Sequence, residues 1–152
     1  MPRKIKAFLD TNVLLDVFCQ ESRLSSEASA TIIQAISSGY IEGEMSTQSF
    51  LDAIYIICRG KITPLLSRKM LQLMSYINIG TIDSFNLREA ISADKGDFED
   101  DALYACAYDG GCDVIITNDQ DFIKKYKGEE QPIRFFTPEE FVAKLTGQTS
   151  GQ

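Results

Sequence analysis

Short apolar runs alternate with helix-length amphipathic segments along this chain, and no other feature limits its possible folds so strongly. “IKAFL” (5–9), “INIGTI” (77–82), “DVIITND” (113–119) and “PIRFF” (132–136) read as strands. The segments between them are long enough for helical crossovers, and parallel strands need such connections. Strands that alternate with helices argue for an α/β fold, a central parallel sheet of about four to five strands flanked by helices on both faces. The 152 residues suit one domain, and no linker or repeat interrupts them. The expected domain is 1–146, followed by a disordered polar tail, 147–152.

The first unit is strand, turn and helix, with Thr11 or Asn12 as the expected helix cap and Phe18 near its end. A second helix is expected from Ser25 or Ser26 to Ser37, ended by Gly39, and “GEMS” (43–46) reads as an edge strand. “TQSFLDAIYIICR” (47–59) and residues 64–77, which open on Pro64, have helical apolar spacing. Asp83 or Ser84 caps a helix over “FNLREAIS”. The acidic “ADKGDFEDD” then leads into “ALYACAYD”, and “TPEEFVAKL” combines a Thr cap with Pro at the first helical position. Tyr55, Phe98 and Tyr104 read as core.

Composition removes several kinds of chemistry. The chain has no histidine, so Ser-His-Asp and Cys-His nucleophiles, histidine bases and nearly all zinc-enzyme ligand sets are excluded. Cys19, Cys58, Cys106 and Cys112 form no C-x-x-C pair and read as reduced, structural residues. The N-terminus reaches Asp10 after only a few apolar residues, and no stretch is suited to crossing a membrane, so a cytoplasmic location is expected. Catalysis, if present, rests on carboxylates.

In open parallel sheets ligands collect beyond the carboxyl ends of the strands. Asp10 and Asp119 each follow an apolar run directly and so belong at one edge. Asp100 and Asp101 fall near the start of a helix that begins at the same edge, and Asp52 interrupts the apolar side of its own helix. Taken alone, Asp10 also suits a cap or turn, and Asp119 an Asx turn. Acids brought close together repel, and a divalent cation offsets the repulsion. Oxygen donors without histidine point to Mg²⁺ or Mn²⁺.

With 22 acids against 15 bases and a net charge of -7, a partner held mainly by phosphate contacts is disfavoured, but a metal-charged acidic site can still bind phosphate. Basic residues cluster at Arg3, Lys4 and Lys6, at Arg59, Lys61, Arg68 and Lys69, and at Lys124, Lys125 and Lys127. These suit an RNA backbone or simply solvated helix ends.

In order, “FLDTNVLLDVF”, “SFLDAIYIICR”, “DFEDDALYACA” and “VIITNDQDF” resemble the motifs of the PIN domain family over about residues 5–145. The resemblance implies a metal-dependent ribonuclease, often the VapC-like toxin of a type II toxin-antitoxin pair. Its site acids would be Asp10, Asp52, Asp100 and Asp119, with metal held by Asp10, Asp100 and Asp119. Asp52 stands where glutamate is commoner. “DFED” favours Asp100 as third acid while the Asp-Ala-aliphatic order favours Asp101, and Asp100 is preferred. Asn12, Thr117, Asn118, Asp97, Asp101 and Asp121 would support the site, with Glu99 in the same loop as Asp97.

The implied reaction is attack of a metal-held water on an RNA phosphodiester, leaving a 5′-phosphate. Expected partners are RNA, a cognate antitoxin and a second copy of the chain. The competing reading is an inactive PIN domain that binds RNA or protein. An aspartyl-phosphate enzyme is disfavoured because Asn12 occupies the second acid of Asp-x-Asp.

Overall fold

A computed structural model describes residues 2–19, 24–93, 97–126 and 131–147. Strands β1 (Lys6–Leu9), β2 (Glu42–Ser46), β3 (Asn78–Gly80), β4 (Val114–Ile116) and β5 (Arg134–Phe136) form one sheet in the order β3-β2-β1-β4-β5. All four pairings are parallel. The described helices are α1 (Thr11–Phe18), α2 (Ser26–Ser37), α3 (Thr47–Cys58), α4 (Pro64–Met74), α5 (Ser84–Ser92), α6 (Phe98–Asp109), α7 (Gln120–Tyr126) and α8 (Pro138–Leu145). The α/β class and parallel sheet agree with the sequence expectation.

Strand side chains alternate between faces, and the core divides accordingly. Ala7, Leu9, Met45, Val114 and Ile116 face one apolar cluster with residues of α1–α4 and α8, including Leu14, Ile32, Phe50, Leu73 and Phe141. Phe8 and Ile115 face the other, with Leu103, Ala107 and Phe122 from α6 and α7. Fully burying one such side chain contributes roughly 1.5–3 kcal/mol. Both faces of the sheet are therefore covered.

Several local expectations are corrected. “GEMS” does not form an edge, since β2 lies between β1 and β3. Its polar appearance comes from Glu44, which is buried and ion-paired to Lys6 Nζ at 3.1 Å. The cap of α1 is Asp10 instead of Thr11 or Asn12, its side chain accepting from Thr11 N. The 64–77 helix ends at Met74, after which Ile77 leads into β3. Tyr55 and Phe98 are 66% and 52% exposed and thus not core. Tyr104 is half-buried, stacked on Tyr126 with ring centroids 4.4 Å apart.

The four cysteines are free thiols. Burial pushes Cys106 and Cys112 up to about 12, with Glu44 adding to the shift, so neither is a ready nucleophile. Among the described residues no helix is long and apolar enough to cross a membrane. Of the proposed tail, residues 148–152 lie outside the described residues.

Candidate active site

The strand order reverses direction between β1 and β4, and ligands in open α/β sheets bind at such a switch point. Asp10 follows β1 directly, and Thr117 follows β4. Asp10 N donates to Ile116 O at 3.1 Å, which locks the two strand ends together. Thr117, fully buried, is the hub of the polar network there. Its hydroxyl donates to Asp10 Oδ2 at 2.7 Å and accepts from Asn12 Nδ2 at 3.3 Å and Asp119 N at 3.0 Å.

Asp10 is itself buried, and its two oxygens accept from Thr11 N at 2.8 Å and from Asn12 Nδ2 and the Thr117 hydroxyl. An ionised carboxylate offers about four acceptor positions, so these three bonds leave capacity for a ligand. Burial pushes Asp10 upward, the hydrogen bonds oppose that shift, and nearby Asp119 reinforces it. Asn12 also braces the β4 turn, its Oδ1 accepting from Asn118 N at 3.0 Å. Asn118 Nδ2 in turn donates to the buried Asp16 at 3.0 Å. Asp16 was not among the expected residues, although it is the second acid of the quoted “FLDTNVLLD” and also accepts from Ser29 Oγ at 2.7 Å.

Asp119 caps α7, its Oδ1 accepting from Asp121 N at 3.0 Å and Phe122 N at 3.2 Å. The expected Asx-type role is thus present. Asp10, Asn12, Asp52, Glu99 and Asp119 line one open cleft with Leu15, Tyr55 and Ile56. Asp52 is half-buried and its Oδ1 accepts from Gln48 Nε2 at 2.8 Å, one helical turn away. Glu99 enters the cleft from α6. Burial raises its carboxyl, followed by the charges of Asp52, Asp97, Asp10 and Asp119.

Helix α6 begins at Asp97, whose exposed side chain caps Glu99 N at 3.1 Å. Asp100 is only 7% exposed, and among the described residues the buried side-chain oxygen left without a hydrogen-bond partner is Oδ2 of its neighbour Asp101. Burial, then Asp97 and Asp119, push it up to about 7; Asp10 adds to the shift and Lys125 offsets part of it. Asp101 points elsewhere, its Oδ1 accepting from the Tyr126 hydroxyl at 2.6 Å and pairing with Lys125 Nζ at 3.0 Å. Of the two candidates for the third acid, Asp100 is the one that feels the charges of Asp119 and Asp10, although neither it nor Asp101 lines the cleft. Asp121 is exposed and contributes its backbone N–H.

Among the described residues no three acids or cysteines are placed to hold a metal ion together. The donor set nevertheless fits a hard divalent cation. It is all oxygen, and it includes the buried Asp10 carboxylate, whose three hydrogen bonds leave an acceptor position open. Mg²⁺ in particular needs only one or two carboxylates, with waters and substrate phosphate completing its octahedron.

Two of the basic clusters are partly committed elsewhere. Arg3 pairs with Asp113 at 2.7 Å and Lys6 with Glu44. Lys125 pairs with Asp101, and Lys127 lies outside the described residues.

A PIN domain family model matches residues 6–121, which span the whole cleft. The chain is 26% identical over 140 residues to ribonuclease VapC1 of Aquifex aeolicus (strain VF5), covering 90% of this chain and 92% of that protein. Its fold is similar to PAE2754 from Pyrobaculum aerophilum, at a TM-score of 0.61 and 17% identity, covering 95% of this chain and 97% of the other. It is also similar to a toxin-antitoxin complex from Klebsiella pneumoniae, at a TM-score of 0.58 and 18% identity over 87% of this chain and 97% of that one. FitAcB from Neisseria gonorrhoeae aligns with a TM-score of 0.59 and 14% identity, over 88% and 98% of the two chains. With a matching model over most of its length and the fold to go with it, this chain belongs to the PIN domain family.

Proposed function

We propose that the chain is a Mg²⁺- or Mn²⁺-dependent endoribonuclease, the toxin half of a toxin-antitoxin pair. The observation that carries the reading is the open cleft in which the carboxylates of Asp10, Asp52, Glu99 and Asp119 meet. The likeness to ribonuclease VapC1 supports the RNA substrate, and the likeness to a toxin-antitoxin complex supports the antitoxin partner.

In this reading Asp10, Asp100 and Asp119 would hold the cation, which would supply Lewis-acid stabilisation of the charge developing on the phosphoryl oxygens. Asp52 orients a water for in-line attack on phosphorus and takes its proton; the new P–O bond forms as the bond to the 3′-oxygen breaks, that oxygen takes a proton from solvent to become a hydroxyl, and a 5′-phosphate remains. Asn12 and Thr117 keep Asp10 in place, and the α7 cap fixes Asp119. No protein nucleophile is used, in keeping with a chain that lacks histidine and whose described cysteines are half-buried or buried.

One observation favours the competing reading of a binding-only module. Asp52 is shorter than glutamate and is already engaged by Gln48. The deciding experiment incubates the purified protein with labelled single-stranded RNA and Mn²⁺ or Mg²⁺, beside Asp10→Asn, Asp119→Asn and an EDTA control. Cleavage by the wild type alone, lowered at least about a hundredfold in each control, supports the nuclease. Cleavage that survives both substitutions assigns the activity to another site or a contaminant. No cleavage with either metal favours the binding module.

A further inference from the structure

Asp100 and Asp101 are neighbours in the first turn of α6, yet the first is buried within the influence of Asp97, Asp119 and Asp10, and the second is held by α7. Two contacts hold the second, and a third holds the cap residue of the same helix. Lys125 Nζ pairs with Asp101 Oδ1 at 3.0 Å and donates to the Asp97 carbonyl at 2.8 Å, while the Tyr126 hydroxyl donates to the same Asp101 oxygen at 2.6 Å. The pair is shielded, with side chains only 18% and 12% exposed. The Tyr126 ring also stacks on Tyr104 of α6.

Lys125 and Tyr126 close one end of α7, and Asp119 caps the other. Phe122, fully buried between them, anchors the helix in the core. Seven helical residues span about 10 Å as a rigid rod. A grip by one end of α7 on the first turn of α6 therefore sets where Asp100 lies relative to Asp119 at the other end.

We infer that Lys125 is a positioning residue of this site, working through Asp101 and the Asp97 carbonyl to hold Asp100 toward Asp119 and Asp10. The inference rests on the metal-site reading above and extends it to residues outside the cleft. Partners that orient metal ligands commonly influence metal affinity as strongly as this arrangement requires.

The sign of the effect separates positioning from plain charge. A cation near a metal site repels the metal, so if Lys125 were only a nearby charge, its removal would tighten Mn²⁺ binding. If it positions Asp100, removal weakens binding. The experiment is calorimetric titration of the full chain with Mn²⁺, without RNA, for the wild type, Lys125→Met, Lys125→Arg and Tyr126→Phe, each with a thermal melt in EDTA.

The expected result is Mn²⁺ binding weakened about tenfold in Lys125→Met, restored to within about twofold of wild type in Lys125→Arg, which keeps the charge and donors. Tyr126→Phe removes one tie without changing charge and is expected to weaken binding in the same direction. It also decides the matter should Lys125→Met fail to fold. Unchanged or tighter binding in Lys125→Met, or in Tyr126→Phe should the former not fold, overturns the positioning role while leaving the metal site standing. A wild type that binds no Mn²⁺ overturns the metal site and the positioning role together.

Discussion

At the scale of single residues, Asp100 makes the strongest prediction. Its carboxyl is pushed up to about 7 from an ordinary 3.8. The folded protein thus holds this proton more tightly than the unfolded chain does, and the stability it contributes is complete at low pH and lost as pH rises through about 7. Asp10 and Glu99 are displaced in the same direction. In EDTA the melting temperature is expected to fall between about pH 5 and pH 8. Asp100→Asn should flatten that fall, and Mn²⁺ should reverse it by binding the ionised acids. An unchanged slope in Asp100→Asn would refute the assignment. Asp10, Asn12 and Asp119 were legible in the sequence because each sits at a strand end. For the third acid the sequence preferred Asp100 over Asp101 without deciding between them. Successive helical residues point about 100° apart, and only the packing of α6 against α7 tells which one Lys125 and Tyr126 hold.

At the scale of elements, β2 shows how polarity misleads. Glu44 reads as a surface residue, yet it is buried within the sheet, where Lys6 bonds both its carboxylate and Gly110 O at 2.7 Å. Burial pulls Lys6 downward, and the hydrogen bond and charge of Glu44 outweigh it. Removing one partner of such a pair strands the other, so Glu44→Ala is expected to cost roughly 3 kcal/mol in urea unfolding. The pair also explains two glycines. A Cβ at Gly110 would run into the Glu44 carboxylate, and one at Gly80 would lie 2.8 Å from Glu44 Oε2 and 2.9 Å from Cys106 Sγ. Gly110→Ala should therefore cost about 1–3 kcal/mol although its φ of -76° suits alanine. A neutral result in either variant would mean the sheet yields locally. Helix α7 escaped the sequence reading because seven largely polar residues show too little periodicity. Its bounds come from the Asp119 cap and the burial of Phe122.

At the scale of the molecule, α4 leaves Leu65, Leu71 and Met74 exposed at 56%, 64% and 47%. We propose that a second copy of the chain covers this apolar surface. Size-exclusion chromatography with light scattering at micromolar concentration should give twice the 17.0 kDa chain mass, and a clean monomer would refute it. The alternation of apolar runs and helical segments by itself determined the α/β class and the parallel sheet, because burial on both faces leaves near-continuous apolar strands. The absence of histidine, also legible without coordinates, sets the expectation that catalysis, if present, rests on carboxylates. Only the tertiary structure decided that β2 is interior, that Glu99 shares the cleft and that Lys125 grips the start of α6. Those relations join residues far apart in the chain, and local periodicity carries no information about which distant surfaces meet.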